Sequence, residues 1–598
     1  MKRLLLILLI YFPPLLLQAK DATPLQGDLE NAFLNVDPKL IEANSTIDDY
    51  IAEQFRAGNY EAVLEAAPYH LYGRMALVSQ IYFSLSEQER TDLSILIEGN
   101  LIFHYILSAM VHTNNTEIAG FIYDYLLFVK QLQLRTEQKI NFAIKKNGNK
   151  QLLTTYAEYR NIKKQLAESN PSLSVNRNKL QKQLNTLGRQ LAQQSNLSLE
   201  DDADLWIDIQ KRLGNGEAAI EFVRFNVFKG EQITALHQYA AIVVTQHCKT
   251  PTFILMPRES SLTYWKTDNP GDLYEVDKYG AALSQLMWLD ILTYLMYEDV
   301  NTIYFSPVGI LNNMAIESFP YDRETLMSYH YNLIRLTSTR QLLYKHNLYP
   351  KKTASLYGNL SYRMSNESML LAASTRSAVA PLPWSKSEVD SIQSILSKQS
   401  YVVNFNTQKQ GTEASFKAMD GHSPSIIHLA THGFVNRKDA DGTMQQSGLL
   451  MTYGARAWEG KTIPSDIDDG ILTAAEIAAL DLSGTDIVVL SGCNTALGEI
   501  TTEGVWGLQR AFKQAGVQTI VMSLWQVDDE ATSILMRYFY EELMKGRRSF
   551  AKAVAKDSEI AERIFDYTYE ALYTAQNRLR QIPKYSSPYY WAGFIVIE

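Results

Sequence analysis

Two cysteines occur in the 598 residues, Cys248 and Cys493, and the second stands where a thiol can do chemistry. Asp486-Ile487-Val488-Val489-Leu490-Ser491-Gly492-Cys493 is an apolar run of strand length that ends in two small residues and then the thiol. A second run, Ser425-Ile426-Ile427-His428-Leu429-Ala430-Thr431-His432-Gly433, ends in a His-Gly turn. In parallel sheets reacting groups collect at the carboxyl ends of strands, where loops open, and both His432 and Cys493 fall at such an end. If the two strands are neighbours, the His432 imidazole can hold Cys493 as thiolate or take its proton during attack, which is the activation a cysteine nucleophile needs. Gly433 and Gly492, without Cβ atoms, would let a substrate backbone come close, and the amide N–H groups of Gly433 and Cys493 are candidate oxyanion-hole donors. The cysteine count alone also allows a plainer reading: one bridge between Cys248 and Cys493, or two small buried hydrophobes. His428, midway along its strand, reads as a core histidine with satisfied partners.

These residues need a sheet to hold them. From about Leu25 to Glu200 apolar positions recur at three and four residues, which predicts an all-α region. Ala57-Gly58-Asn59-Tyr60-Glu61-Ala62-Val63-Leu64 looks like the turn and second-helix start of a tetratricopeptide unit, without a clean repeat of about 34 residues. Leu180, Leu184, Leu187 and Leu191 predict a helix packed against Tyr156 to Leu166 across Pro171, either as a coiled hairpin or as an ordinary amphipathic pair. After Asp201-Asp202, strand-length runs at Ala218 to Phe225, Tyr239 to Thr245, Thr252 to Met256 and Thr302 to Phe305 alternate with helical patterns. A second series follows at Ser355 to Gly358, Tyr401 to Val403, Ser425 to Ala430, Asp486 to Leu490 and Thr519 to Leu524. Alternation of this kind predicts α/β units with parallel sheets covered on both faces.

At the His432 and Cys493 strand ends the chain resembles the CHAT-domain peptidases, a caspase-like family often fused to tetratricopeptide repeats and related in fold to separase. His432 precedes Cys493 by 61 residues, the chain order of caspases. The resemblance covers roughly residues 200–598 and also rests on Leu205-Trp206-Ile207-Asp208-Ile209-Gln210, Ser306-Pro307-Val308-Gly309, Asp469-Gly470-Ile471-Leu472, Glu503-Gly504-Val505, Ser523-Leu524-Trp525-Gln526-Val527-Asp528-Asp529 and Pro588-Tyr589-Tyr590-Trp591-Ala592-Gly593-Phe594. It implies an α/β caspase-like fold with a pseudo-protease half at 201–350 and a catalytic half at 351–598; ahead of these the residues themselves read as a leader at 1–19 and a helical-repeat-like region with a helical hairpin at 20–200. It also implies His432 and Cys493 as the dyad of a cysteine endopeptidase, with Asp529, or else Asp528, receiving a basic side chain before the scissile bond by charge-assisted pairing. The other reading of these aspartates is that one caps a helix beginning near Glu530. Ser491-Gly492 replaces the caspase Gln-Ala before the cysteine, so a caspase preference for Asp is not carried over.

Length and charge bound the rest. A chain of this size exceeds the roughly 250 to 300 residues one core serves, so two or three domains are expected. Apolar residues make up 46% and charged residues 20%, a globular balance. Net charge is −9, from 56 Lys and Arg against 65 Asp and Glu, which excludes the basic footprint of a nucleic-acid binder. Lys2 and Arg3, an apolar run to Leu17 and Ala19 read as a secretory signal, so the mature protein is expected in the periplasm or secreted, without a stable membrane span. Ile102 to Met110 and Leu286 to Met296 are too short to span and are expected as buried helices. Phe434 to Asp469 is expected to form a flexible flap; its Arg437-Lys438 pair is a candidate cleavage point. Its acidic residues, Asp439, Asp441, Asp466, Asp468 and Asp469, lack calcium-loop spacing. No cofactor or metal is expected. The expected partners are a protein or peptide substrate and an activating protein on the helical region. The alternative function is a non-enzymatic interaction scaffold with an unused caspase-like fold.

Overall fold

The computed structural model describes residues 36–168, 174–195, 205–344, 351–363, 379–435, 444–460, 468–492, 499–501, 504–556 and 567–598. The leader at 1–19, Pro171, Asp201-Asp202 and Cys493 lie outside the described residues, as do Arg437, Lys438, Asp439, Asp441 and Asp466. The chain divides into two compact units that interleave in sequence. The first comprises residues up to 264 with 286–309 and 337–343; the second comprises 265–285, 310–336 and 344–598.

In the first unit eight helices lead: α1 Pro38–Ala57, α2 Tyr60–Tyr82, α3 Glu87–Glu98, α4 Leu101–Thr113, α5 Ala119–Val129, α6 Leu132–Asn147, α7 Lys150–Glu168 and α8 Ser174–Gln194. Local chemistry sets their ends. Asp37 caps α1 by accepting from the Lys39 N–H at 2.9 Å, with Pro38 in the first turn. Gly58, at φ +78°, closes α1 in a left-handed cap before α2 begins, which is the turn read from Ala57 to Leu64. Ser86 and Glu89 form a capping box on α3. Leu180, Leu184 and Leu187 on α8 pack against Tyr159, Ile162 and Leu166 on α7, so the helical hairpin is present. Glu87–Thr113 is long and apolar enough to cross a membrane by length and composition, but it runs as two helices broken at Gly99 and Asn100, and about half of it is buried. Ile106, Leu107 and Ala109 of α4 are wholly buried, as the sequence predicts for Ile102 to Met110.

After a short helix α9 (Trp206–Arg212) come β1 Glu217–Lys229, β2 Gln232–Thr245, β3 Thr252–Arg258 and, later, β4 Thr302–Ser306. They stand in the order β3-β2-β1-β4. Here the structure departs from the expected parallel sheet: β1, β2 and β3 pair antiparallel, and only β4 runs parallel to β1. Connection length decides this. Two residues, Gly230 and Glu231, join β1 to β2, and six join β2 to β3, too few for a parallel crossover.

The second unit carries β5 Asn332–Arg335 and then β6 Thr353–Leu360, β7 Val402–Gln408 and β8 Ile426–Leu429. The short strands β9 Gly433–Phe434, β10 Gly448–Leu450 and β11 Ile471–Thr473 follow, and β12 Ile487–Leu490, the hairpin β13 Glu499–Thr501 and β14 Gly504–Trp506, β15 Thr519–Ser523 and β16 Phe594–Ile597 complete the set. The main sheet has the order β16-β15-β12-β8-β6-β7, parallel throughout except for β16. Every residue of β8, β12 and β15 is buried, which is why their sequences are continuous apolar runs and not alternating ones. Helix α10 (Ala281–Leu295) precedes β4; α11 (Trp384–Ser397) crosses from β6 to β7, α12 (Leu508–Gln514) precedes β15, and α13 (Asp529–Lys556) and α14 (Tyr567–Arg580) precede β16. The α/β arrangement expected of residues 351–598 is therefore observed. The segment expected as one flexible flap is partly ordered instead: Leu449, Leu450, Met451 and Ala455 are buried, and β10 lies between β9 and β11 in a small antiparallel sheet.

Candidate active site

Strands β8 and β12 are hydrogen-bonded neighbours, with Ile426 facing Ile487 and Leu429 facing Leu490. Pairing continues one step beyond, since Ser491 N–H donates to the Leu429 carbonyl at 3.0 Å. The Gly492 carbonyl accepts from the Ser523 hydroxyl at the end of β15.

His432 is half-buried, three residues past the end of β8. Its Nε2 lies 2.7 Å from the carbonyl oxygen of Ala380. A carbonyl only accepts, so Nε2 carries the proton and Nδ1 is left as the ring's acceptor. Burial pushes the imidazole below its ordinary pKa, so it is neutral near pH 7. The ring sits 5.1 Å from that of Tyr362, whose hydroxyl is 2.9 Å from Thr431 Oγ1.

Gly433 begins β9. The Leu450 N–H donates to the His432 carbonyl at 2.9 Å, while Gly433 faces Leu449. Antiparallel pairs alternate between bonded and non-bonded, so the Gly433 N–H points away from β10 and is not consumed by the ladder.

The two aspartates separate in role. Asp528 Oδ1 accepts from the Ala531 N–H at 2.8 Å and caps α13, which is the helix-cap reading of this pair. Asp529 Oδ2 accepts from the Trp384 N–H at 2.8 Å, one of the orphan donors at the start of α11. Burial raises the Asp529 pKa, and the nearby charges of Glu388 and Asp528 push the same way.

Sequence reasoning missed the Ala380 carbonyl and the Trp384 amide, because backbone groups leave no side-chain signature. The only available signal was Ala380-Pro381-Leu382-Pro383-Trp384, a stiff segment ahead of a helix. His428 is wholly buried between Glu388 Oε1 at 2.9 Å and the Tyr540 hydroxyl at 3.3 Å, a satisfied core histidine. Cys248 carries a free, half-buried thiol whose pKa burial pushes up, the opposite of activation. Asp468 and Asp469 are exposed, and Asp469 Oδ1 accepts from the Ile471 N–H at 2.8 Å within its own turn. Among the described residues no group of three His, Cys, Asp or Glu side chains is placed to hold a metal.

Tetratricopeptide repeat protein 28 of Mus musculus is 24% identical over 316 residues, covering 49% of this chain and 12% of its own length. The Homo sapiens protein of the same name is 23% identical over 316 residues, covering 49% and 11%. The chain thus spans about an eighth of the curated relatives it matches. Among solved structures, the Arg-specific cysteine proteinase gingipain R is 10% identical at a TM-score of 0.31, covering 54% of this chain and 69% of that one. The Saccharomyces cerevisiae separase–securin complex is 10% identical at a TM-score of 0.35, covering 97% and 48%. The model of the family described as the CHAT domain matches residues 277–598, more than half of the sequence and all of the strands that carry the candidate site, and so the chain belongs to the CHAT domain family.

Proposed function

We propose that the chain is a cysteine endopeptidase in which His432 is the base for Cys493. One observation carries the reading: each residue of β8 faces the residue 61 positions later on β12, and 61 is also the separation of His432 and Cys493. β8 and β12 end together, each three residues short of its dyad member, so both residues follow the same edge of the main sheet in sequence. The Nε2–H tautomer supports it, because Nδ1 is then the atom that takes the thiol proton. In this reading the Cys493 sulfur attacks the substrate carbonyl while its proton passes to His432 Nδ1. The Gly433 and Cys493 N–H groups receive the oxyanion, and His432 returns the proton to the leaving amine. Water then hydrolyses the thioester.

A basic residue before the scissile bond is part of the proposal. Asp529 uses Oδ2 for Trp384, Oδ1 remains for a substrate cation, and Glu388 and Asp528 add negative charge around it. Export by the segment 1–19 and activation by a protein bound to the helices α1–α8 complete the proposal; the first rests on the sequence, the second on the presence of those helices ahead of the CHAT domain.

The test is mass-spectrometric mapping of an Arg- or Lys-directed acyloxymethyl ketone on the purified protein, with His432→Ala as control. Modification of Cys493 that disappears in the control is the expected result. Absence of modification in folded, reduced protein, with and without a partner that binds the helices, overturns the peptidase reading.

A further inference from the structure

The base is oriented by a backbone carbonyl, and that carbonyl belongs to a short strap with a side-chain anchor at its far end. The strap is Ala380-Pro381-Leu382-Pro383-Trp384. Its near end gives the Ala380 oxygen to His432 Nε2 at 2.7 Å. Its far end, the Trp384 N–H, is taken by Asp529 Oδ2 at 2.8 Å. Between them two prolines fix φ near −65°, and Pro383 itself has φ −65°. Ala380 and Leu382, each preceding a proline, are held away from helical geometry. The strap is also pinned beside its anchor: the buried Ser385 donates to the Leu382 carbonyl at 2.6 Å and accepts from the Asn359 N–H at 3.0 Å. Much of the strap is exposed to solvent, so hydrogen bonds and proline stiffness, not burial, set its position.

We infer that Asp529 is a positioning residue for the base: by anchoring Trp384 it holds the proline-stiffened strap whose Ala380 carbonyl fixes His432 as the Nε2–H tautomer and leaves Nδ1 as the ring's acceptor. The inference rests on the reading of His432 and Cys493 as a dyad. It gives Asp529 two separable tasks on two oxygens, with Oδ2 setting the base through the strap and Oδ1 meeting the substrate cation. Loss of the hydrogen bond and loss of the charge therefore have different consequences.

The experiment measures the rate of Cys493 alkylation by iodoacetamide, a small uncharged reagent, from about pH 5 to about pH 9, with peptide mapping to separate Cys493 from Cys248 and circular dichroism to confirm folding. The wild type and the variants His432→Ala, Asp529→Ala, Asp529→Asn and Pro383→Gly are compared. Asp529→Ala should shift the profile toward that of His432→Ala, whose rate near neutrality falls by about 10²- to 10⁴-fold, the scale of a lost general base. Asp529→Asn keeps an acceptor for Trp384 and should keep the wild-type profile, while cleavage after Arg or Lys falls. Pro383→Gly leaves Asp529 intact and should shift the profile in the same direction as Asp529→Ala by a smaller amount.

An Asp529→Ala profile equal to wild type, while His432→Ala differs, overturns the inference alone. So does Asp529→Asn behaving as Asp529→Ala, or Pro383→Gly leaving the profile unmoved. A His432→Ala profile equal to wild type overturns the dyad itself and the inference with it.

Discussion

His432 derives its chemistry from a group far away in sequence, the Ala380 carbonyl, which fixes the tautomer, and from the burial that depresses its basicity. A base must be neutral to act, and its lowered pKa extends the neutral range downward. The acid limb of kcat/KM should therefore fall below the ordinary histidine value of about 6.5. Peptide cleavage measured across pH at limiting substrate tests this, and an acid limb above that value contradicts the assignment. Asp528 makes a contrasting prediction, because its carboxylate is spent on the helix cap. Asp528→Ala should cost about 1 kcal/mol in urea unfolding while weakening the preference for Arg or Lys less than Asp529→Asn does. These adjacent aspartates look equivalent in the sequence. The turn at the start of α13 directs one inward to its own helix and the other across to α11, and that direction is set by packing.

The elements around the site explain several of the sequence stretches that carried the family resemblance. Leu524 N–H donates to the Gly593 carbonyl at 2.8 Å, and the Trp525 indole N–H donates to the Tyr589 carbonyl at 3.1 Å, so Ser523 to Trp525 and Pro588 to Phe594 are one structural unit. A Cβ on Gly593 would approach the Trp525 ring to 2.8 Å. Gly593→Ala should destabilise the protein by about 1–3 kcal/mol through overpacking and should shift the tryptophan emission; unchanged emission and an unchanged thermal midpoint would show that the ring yields freely. Strand existence was legible because β8, β12 and β15 are short apolar runs bounded by polar and small residues. Strand direction in the first unit was legible too, in principle, from the two- and six-residue connections, but the alternation of strand and helix patterns pointed to a parallel sheet. Order in β10 was not legible, because Gly448–Leu450 is too short to show a period.

On the scale of the whole molecule, one buried ionic network joins the helices of the first unit to its sheet. Lys130, after α5, reaches Glu221 on β1 and the Ser306 hydroxyl at 2.9 Å at the end of β4. Glu221 also accepts from the Thr339 N–H and hydroxyl, each at 2.7 Å. Both charged groups are buried, so removing one strands the other. Lys130→Met should cost about 3–5 kcal/mol in denaturant unfolding, and Lys130→Met with Glu221→Gln should cost less than the single change. A double variant as unstable as the single one would mean that packing, not charge, is lost.

Composition, strand runs and the 61-residue spacing are local or one-dimensional properties, and they were enough to fix the α/β class, the helical region and the identities of His432 and Cys493 as candidates. Whether His432 has Nδ1 or Nε2 free, and what Asp529 anchors, depend on groups brought together from tens to more than a hundred residues apart, such as His432 with Ala380 and Asp529 with Trp384. Only folding sets those distances, and hydrogen bonding and desolvation act over distances, not over sequence positions.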